Sequence, residues 1–373
     1  MSEMLFRLTA GTNVGCVRTN NEDNFIVNEN LDNIDWFLPS DVSKAISLGN
    51  DGAILVVADG MGGMNAGEVA SAIAVDTVKS VFSAADLSKT IASGKKIEAF
   101  LKDAIVEADS RIKAKVKEDD STSGMGTTIV IAWVLENVAH IAWCGDSRAY
   151  LFNAGSGLVR LSKDHSYVQE LVDAGKLDPE LAFDHPNSNI ITRSLGDSHV
   201  KARPDYVSRM LSKGDYLLLC SDGLCGLCRD EEIAQVMLKA ENIETCKNSL
   251  IKAALNAGGY DNVTVALLEV DSLGEESEKS IVEDTTNDLS KAKSRKKKNR
   301  GLTAFIILLL LVGAVGYLYH TGKWEPALDY IKGKFSTALE NADSTMEKVD
   351  SASVNLETID RMSDDTPADT TNI

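Results

Sequence analysis

The chain carries an apolar run of strand length, Ile54–Ala58, that ends abruptly in Asp59, and three glycines follow within the next four residues. An apolar run bounded by turn residues is typical of a buried strand. Such a strand would deliver the Asp59 carboxylate to the edge of a core, and Gly60 has no side chain to shield its backbone carbonyl. A carboxylate, a carbonyl and room for water are what Mg²⁺ and Mn²⁺ require. Taken alone, Asp-Gly after a strand is only a turn signal.

The pattern recurs at three other places. Tyr216–Cys220 is a second apolar run, and it leads into Asp222. Two further strand-like segments begin with an aspartate, at Asp146 and at Asp261. Antiparallel strands that arrive at one edge of a sheet end there and their neighbours begin there, so these aspartates and Asp59 can meet at one rim of an antiparallel sheet. Because four carboxylates would repel one another, we infer that cations lie among them in a polynuclear metal centre.

The net charge and the cysteines limit the partners and the compartment. A charge of −18 over 373 residues argues against nucleic acid as a partner, since phosphate backbones are held by Lys and Arg. Phosphorylated proteins stay open as partners, because a few local basic groups suffice for one phosphate. The six cysteines show no disulfide spacing, and Cys225 and Cys228 form a CxxC without a second pair, which favours core cysteine over a zinc site. This part of the chain is expected to be cytosolic and reduced.

A membrane span is predicted towards the other end of the sequence. Residues 302–319 are eighteen residues without a charge, which is long enough to cross a bilayer, and seven Lys and Arg precede them in residues 291–300. The alternatives are a buried core helix, a solvated charge run, and a nuclear-localisation or nucleic-acid patch. The adjacency of the two segments favours a membrane anchor, because basic residues that flank a span stay on the cytoplasmic side. The N-terminal residues have no long apolar region and predict no signal peptide.

Four segments follow from this pattern. They are a folded domain over residues 1–270, an acidic then basic juxtamembrane linker over 271–300, a transmembrane helix over 301–320, and an extracytoplasmic tail over 321–373 that is partly helical or disordered. The folded domain is therefore expected to be cytoplasmic, in a single-pass protein of the cell membrane.

Within the first 270 residues, helices and strands come in blocks. Helical spacing of apolar residues occurs at residues 66–81 and 97–116, and again at 231–239 and 245–256. Short strands joined by tight turns fill residues 126–161 between these two pairs. Because helices do not alternate with strands one by one, the pattern favours an α+β layered sandwich over a doubly wound sheet.

Residues 12–23 add a guanidinium and two carboxylates, at Arg18, Glu22 and Asp23. An arginine beside an acidic metal cluster is expected where an anion arrives, since its planar fork matches two phosphoryl oxygens. The alternative is an ion pair between Arg18 and Glu22 at helical spacing, and the local sequence does not decide between the two.

These motifs also resemble those of a known family. In chain order they are Arg18–Asp23, Asp59–Gly63, Gly124–Thr128, Gly145–Arg148, Ser221–Gly223 and Asp261–Asn262. Together they resemble the metal-dependent serine/threonine protein phosphatases of type 2C, or PPM family, in a bacterial, membrane-anchored form, over about residues 1–270. The resemblance implies an antiparallel β-sandwich flanked by helix pairs, in α-β-β-α layers, which agrees with the block pattern.

The resemblance implies which residues bind the metal ions, Mn²⁺ or Mg²⁺. Asp59 would bridge two core ions. The Gly60 carbonyl, Asp222 and Asp261 would be further ligands. Asp59 and Asp222 would in this way belong to the catalytic set.

The resemblance also implies roles for four other residues. Glu22 and Asp23 would reach the core ions directly or through water. Asp146, together with Asp222, would hold a third ion, as in bacterial members of the family. Arg18 would bind the phosphate group of the substrate.

A mechanism follows from such a centre. Two ions about 3.5–4 Å apart lower the pKa of a bridging water and generate hydroxide near neutral pH. The hydroxide would attack phosphorus in line with the seryl or threonyl oxygen, while Arg18 and the metals neutralise the equatorial oxygens, without a covalent phosphoenzyme. A cysteine-based phosphatase is disfavoured, because Cys16 and Arg18 lie too close together and lack a glycine-rich cradle between them.

One position departs from the family pattern. Some members carry a histidine just after the Asp-Gly pair, where it is placed to protonate the leaving alkoxide, but this chain has Met61. A metal-bound water is the expected donor instead, with His165 and His185 as weaker candidates that are each expected to be structural. Residues 173–189 correspond to the mobile flap of the family beside the active site. Asp197 is expected to cap a turn.

Three functions are considered, in order of preference. The first is a membrane-anchored, cytoplasmic phosphatase of phosphoserine and phosphothreonine proteins, whose partners would include a Ser/Thr kinase, its substrates and the membrane lipid around the C-terminal helix. The second is a catalytically inactive phosphoprotein-binding signalling module of the same fold. Binding alone would not need so many costly carboxylates, which disfavours it. The third is a metal-dependent phosphatase of a small molecule.

Overall fold

The computed structural model describes residues 4–33, 36, 41–62 and 66–273. All of these lie in the first of the two units into which the chain divides, Met1–Thr286. The predicted transmembrane helix and outer tail lie outside the described residues, as does the linker beyond Leu273. Within the described part of the chain, no helix is both long and apolar enough to span a membrane.

Two antiparallel sheets are built from short strands. The strands are β1 Leu5–Asn13, β2 Asp23–Asn28, β3 Ile46–Ser47, β4 Ala53–Met61, β5 Gly126–Thr127, β6 Ile129–Leu135, β7 Val138–Cys144, β8 Arg148–Asn153, β9 Gly157–Arg160, β10 Asp205–Met210, β11 Tyr216–Cys220 and β12 Val263–Ser272. The first sheet has the order β3-β1-β12-β11-β8-β9. The second has the order β10-β7-β6-β4-β2, with β5 paired to the end of β4. The α+β class with antiparallel sheets is therefore confirmed.

Helices cover the outer face of each sheet. They are α1 Ala66–Ala84, α2 Leu87–Thr90, α3 Gly94–Glu118, α4 Tyr167–Asp173, α5 Asp222–Cys225, α6 Asp230–Lys239 and α7 Ile243–Asn256. The long helices α1 and α3 pack on the second sheet, and α6 and α7 pack against the first sheet with α5. The order of layers is thus helices, sheet, sheet, helices, as expected.

The apolar run that precedes Asp59 is continuous because β4 is buried on both faces. Ile54 and Val56 belong to the core between the second sheet and the helices α1 and α3. Leu55 and Val57 belong to the core between the two sheets. Since successive side chains of a strand point to opposite faces, a central strand between two cores needs apolar residues at every position.

Two elements differ from the sequence interpretation. The strand β10 was not expected, because Ser208, Arg209 and Met210 in its second half are exposed and give no apolar alternation. It is nevertheless paired along its length with β7, as the edge strand of the second sheet. The helix α2 is a single turn between the two long helices and was also not expected.

Candidate active site

Two carboxylates of the candidate site come from the second sheet. Asp59 lies in β4, which continues past it to Met61, and Asp23 is the first residue of β2. The register of the two strands places Asp23 directly opposite Asp59.

Three more carboxylates come from neighbouring strands of the first sheet. Asp146 lies two residues before β8, Asp222 two residues after β11, and Asp261 two residues before β12. Because β8, β11 and β12 are adjacent and antiparallel, all three aspartates lie at the same edge. The expectation of one rim in a single sheet was therefore wrong in one respect, since Asp59 belongs to the other sheet.

We call the set of carboxylates that meets here, where the two sheets face each other, the acidic rim. It comprises Glu22, Asp23, Asp59, Asp146, Asp222 and Asp261.

The carboxylates of the acidic rim raise one another's pKa. Burial, and after it repulsion from Asp222, raises the pKa of Asp59 well above its usual range. The same two causes raise the pKa of Asp146. Burial and the charge of Asp261 raise the pKa of Asp222, whose carboxyl also accepts a hydrogen bond from Asp59. A site of this kind favours cations strongly, because a positive charge removes the repulsion.

Asp23 joins the two sheets through its side chain. Its Oδ2 accepts hydrogen bonds from Ser221 Oγ at 2.7 Å and from Thr264 Oγ1 at 2.6 Å, both in the first sheet or at its edge. Burial raises the pKa of Asp23 to about 7 despite these two bonds. One of its oxygens is thus committed to structural contacts, and Oδ1 is the oxygen left for a ligand.

Gly60 is needed for packing as well as for an open carbonyl. A Cβ at this position would lie 2.2 Å from the carbonyl oxygen of Gly67 and 2.5 Å from that of Glu22. The Gly60 N–H donates to the Glu22 carbonyl at 3.2 Å, and Ser71 Oγ donates to the same oxygen at 2.6 Å. The glycine therefore allows β4, the start of α1 and the chain at Glu22 to meet, which the sequence interpretation did not foresee.

Arg18 lies on the exposed side of the acidic rim. Its guanidinium donates to Asp261 Oδ2 at 2.8 Å, and about half of its side chain is exposed. The alternative of a helical ion pair with Glu22 is not realised, because the chain between β1 and β2 is not helical and Glu22 affects Arg18 only through its charge.

Asn262 holds the loop that carries Arg18. Its Nδ2 donates to the carbonyls of Val14 at 3.0 Å and Asn20 at 2.9 Å, and its Oδ1 accepts from the N–H of Glu22 at 2.7 Å. A buried amide at this position thus satisfies three backbone groups of one loop. Its place directly after Asp261 was visible in the sequence, but its partners were not.

Hydroxyl groups hold the backbone at Asp59. Thr127 Oγ1 donates to the Asp59 carbonyl at 2.8 Å, and the Asp59 N–H donates to Thr128 Oγ1 at 3.2 Å. Thr128 Oγ1 also shares a hydrogen bond of 2.7 Å with Ser147 Oγ, next to Asp146. These buried residues position the two aspartates relative to each other, and they too were missed as site residues.

The other candidates have structural roles. His165 Nδ1 accepts from the Gly145 N–H at 3.1 Å, and its Nε2 lies 3.0 Å from Asp205. His185 Nδ1 accepts from the Asn187 N–H within the flap. Asp197 Oδ1 accepts from the His199 N–H at 2.8 Å, which confirms it as a turn cap.

The acidic rim offers the donor chemistry that divalent cations need. Among the described residues, no three or more His, Cys, Asp or Glu side chains lie close enough together, in their present positions, to hold a metal ion. Three of the rim carboxyls make other contacts as placed, since Asp59 is bonded to Asp222 and Arg18 to Asp261. The donor type nevertheless fits, because the rim offers hard oxygens and Asp146 Oδ1 is buried without a hydrogen-bond partner. Exchange of the Arg18 partner would free Asp261, and bound cations would remove the repulsion that raises the pKa of Asp59.

A groove of about 790 Å³ leads away from the acidic rim. Asp146, Asp222 and Asp261 line it, and so do residues of the flap, which spans residues 173–189. Pockets of about 300–1,000 Å³ commonly hold ligands of drug size. The groove therefore has room for more than one residue of a polypeptide.

Sequence and fold both match known proteins. A family model described as protein phosphatase 2C matches residues 11–263. Protein phosphatase PhpP of Streptococcus pneumoniae is 34% identical over 259 residues, which is 69% of this chain and 95% of that protein. The crystal structure of Stp1 from Staphylococcus aureus superposes with a TM-score of 0.62 and 34% identity over 72% of this chain and 96% of that one. The catalytic domain of the phosphatase PstP, in complex with two manganese ions, gives a TM-score of 0.57 and 32% identity over 72% and 99% of the two chains.

Proposed function

The chain belongs to the protein phosphatase 2C family of metal-dependent serine/threonine protein phosphatases, and on this premise we propose that it dephosphorylates phosphoserine and phosphothreonine in cytoplasmic proteins while anchored in the cell membrane. The observation that carries the catalytic part is the convergence of six carboxylates and one arginine where the two sheets meet. A module that only bound phosphoproteins would gain nothing from a set of mutually repelling carboxylates.

The acidic rim would hold two core cations through Asp59, Asp222, Asp261 and the carbonyl of Gly60. The similar catalytic domain of PstP forms a complex with two manganese ions, and Mn²⁺ is accordingly the expected core metal, with Mg²⁺ as the alternative. When bound, such cations supply Lewis acidity and neutralise the charge that develops on a phosphoryl group.

The remaining residues of the rim would complete the site. Glu22 and Asp23 would bind core ions directly or through water, with Asp23 using the oxygen that Ser221 and Thr264 leave free. We assign a third ion to Asp146 and Asp222, because Asp146 Oδ1 is buried and without a partner.

Arg18 would bind the substrate phosphate. Its guanidinium is half exposed at the rim and pairs with a carboxylate, so a phosphate group can replace Asp261 as its partner. Asn262 keeps the loop of Arg18 in place during this exchange. Met61 cannot donate a proton and His165 is engaged by Gly145, so the proton for the leaving oxygen would come from water.

Membrane anchoring is proposed from the sequence alone. The proposal is supported by the charge-free residues 302–319 and the basic residues 291–300 before them, a pattern that favours a cytoplasmic position for the preceding domain. A phosphatase held there would meet phosphorylated proteins at the membrane, including a Ser/Thr kinase that itself carries phosphoserine or phosphothreonine.

The test is phosphate release from a phosphothreonine peptide by the full-length chain in detergent, with Mn²⁺, with Mg²⁺ and with a chelator. We expect metal-dependent release that Asp222→Asn reduces at least about a hundredfold, since the variant loses a shared metal ligand. A small phosphate ester serves as the second substrate. Hydrolysis of that ester alone would point to a small-molecule phosphatase, and a folded protein that releases nothing with any metal would point to a binding module.

A further inference from the structure

Arg229 occupies a position that is locally unfavourable for an arginine. It is the N-cap residue of α6, where Ser, Thr, Asp and Asn are preferred because their oxygens accept from free backbone N–H groups. A guanidinium has no acceptor, and its charge lies at the positive end of the helix dipole. Only the reciprocal half of a capping box is formed, in which Glu232 Oε2 accepts from the Arg229 N–H at 2.8 Å. A residue that is unfavourable for its own helix is expected to make a favourable contact with another part of the protein.

The side chain of Arg229 reaches across to the flap. Its guanidinium forms an ion pair with Asp184, and its Cζ lies 4.3 Å from the centre of the Phe183 ring. A planar guanidinium can stack on a ring and pair with a carboxylate at the same time, which an ammonium group does less well. We call Arg229, Phe183 and Asp184 the flap latch.

The rest of the flap has few ties to the domain. Near its ends, the Lys176 N–H donates to the Leu171 carbonyl and the Tyr167 N–H donates to the Ile190 carbonyl, both at 2.8 Å. In the described structure, the other hydrogen bonds of residues 177–186 join these residues to one another or to Asn187 and Ser188. The middle of the flap is thus tied to the domain by the side chain of Arg229.

The flap latch borders the groove that leads to the acidic rim. Phe183 and Glu180 of the flap line this groove together with Arg229 and Glu231, and Asp222 of the acidic rim lines it as well. A displacement of the flap would therefore change the shape of the groove.

We propose that Arg229 is a positioning residue that holds the flap where it completes a polypeptide-binding groove, so that it favours phosphorylated polypeptides over small phosphate esters. This inference rests on the proposed function. A phosphopeptide would contact the flap with the residues that flank its phosphorylated side chain. A small ester would lie only at the acidic rim and would not depend on the flap.

The kinetic test compares Arg229→Ser with wild type and with Arg209→Ser in the full-length protein with Mn²⁺. Serine is a preferred N-cap residue, so the variant removes the latch without weakening the start of α6. Arg209 is an exposed arginine of β10 and serves as the matched control. For a phosphothreonine peptide we expect KM to rise about three- to tenfold in Arg229→Ser with kcat unchanged, whereas both constants for p-nitrophenyl phosphate stay within about twofold.

A second measurement does not depend on activity. Trypsin cleaves after Lys176, which is exposed in the flap, and this cleavage should become about three- to tenfold faster in Arg229→Ser but not in Arg209→Ser. Faster cleavage with an unchanged peptide KM would overturn the inference, because the flap would then be tied by Arg229 without contributing to substrate binding. Unchanged cleavage would overturn the latch itself. An inert wild type would refute the proposed function instead, and the cleavage rate would still report on the latch.

Discussion

The substitution Asn262→Ala tests whether one buried amide organises the phosphate-binding side of the site. The amide makes three hydrogen bonds of 2.7–3.0 Å to the backbone at Val14, Asn20 and Glu22. Each such bond contributes about 0.5–1.5 kcal/mol net, so their removal should lower the free energy of unfolding by about 3 kcal/mol. For a domain of this size that corresponds to a fall of about 6–12 °C in Tm.

The functional effect should exceed what stability alone predicts. The loop that Asn262 holds carries Arg18, so its release should lower kcat/KM for a phosphopeptide by at least about tenfold at a temperature where the variant is folded. Asn262→Asp keeps the acceptor for the Glu22 N–H but turns an oxygen towards two carbonyls, and it should be no more active than Asn262→Ala. The exposed Asn256 at the end of α7 provides the matched control, Asn256→Ala.

Thermal unfolding followed by circular dichroism and initial rates of phosphate release supply the two readouts. If Asn262→Ala melts within about 1 °C of wild type, the three bonds do not carry the stability assigned to them. If it melts lower but retains full kcat/KM at a temperature below the transition, the loop does not need Asn262 to present Arg18. Either result would refute the reasoning.

Two further predictions concern pH and topology. Burial lowers the pKa of His140, so the unfolded chain takes up a proton at this ring before the native state does as the pH falls. The contribution of the neutral His140 to the free energy of unfolding is therefore complete above about pH 6.5 and is lost below it. Urea unfolding at about pH 7 and pH 5 should therefore show a smaller loss of stability for His140→Gln than for wild type, and equal losses would contradict the assignment. For the membrane anchor, a cysteine introduced by Ser363→Cys should react with an impermeant maleimide only from outside the cytoplasm, whereas labelling from the cytoplasmic side would exclude the proposed orientation.

The strands that carry the aspartates could be predicted because their signals are local. The run before Asp59 is apolar at every position, and the run before Asp222 ends in a turn signal, so both were identified from periodicity and composition. The match to the protein phosphatase 2C family confirms the resemblance recognised in the motifs. Sheet membership could not be read in the same way, because nothing near Asp59 indicates that β4 pairs with β2 and β6 instead of with β11.

The residues that position the site were harder to predict. Thr128, Ser221 and Thr264 are ordinary strand and turn residues in the sequence, and their importance depends on partners up to 241 positions away. Arg229 did leave a signal, since a cation at a helix N-cap is locally unfavourable. Its flap partners, however, become evident only once the chain is folded.

The pairing of β1 with β12 governs the order in which a growing chain can become active. Leu5–Asn13 leaves the ribosome well before Val263–Ser272, yet in the first sheet it lies between that strand and β3, which has two residues. The loop of Arg18 likewise reaches its final position only when Asp261 and Asn262 are available to bind it. Contacts of such long sequence separation form slowly, and the unpaired β1 stays exposed until they do. A nascent chain whose β12 has not yet emerged from the ribosome therefore carries most of the acidic rim but no completed catalytic site. Activity can begin only when synthesis of the domain is nearly complete.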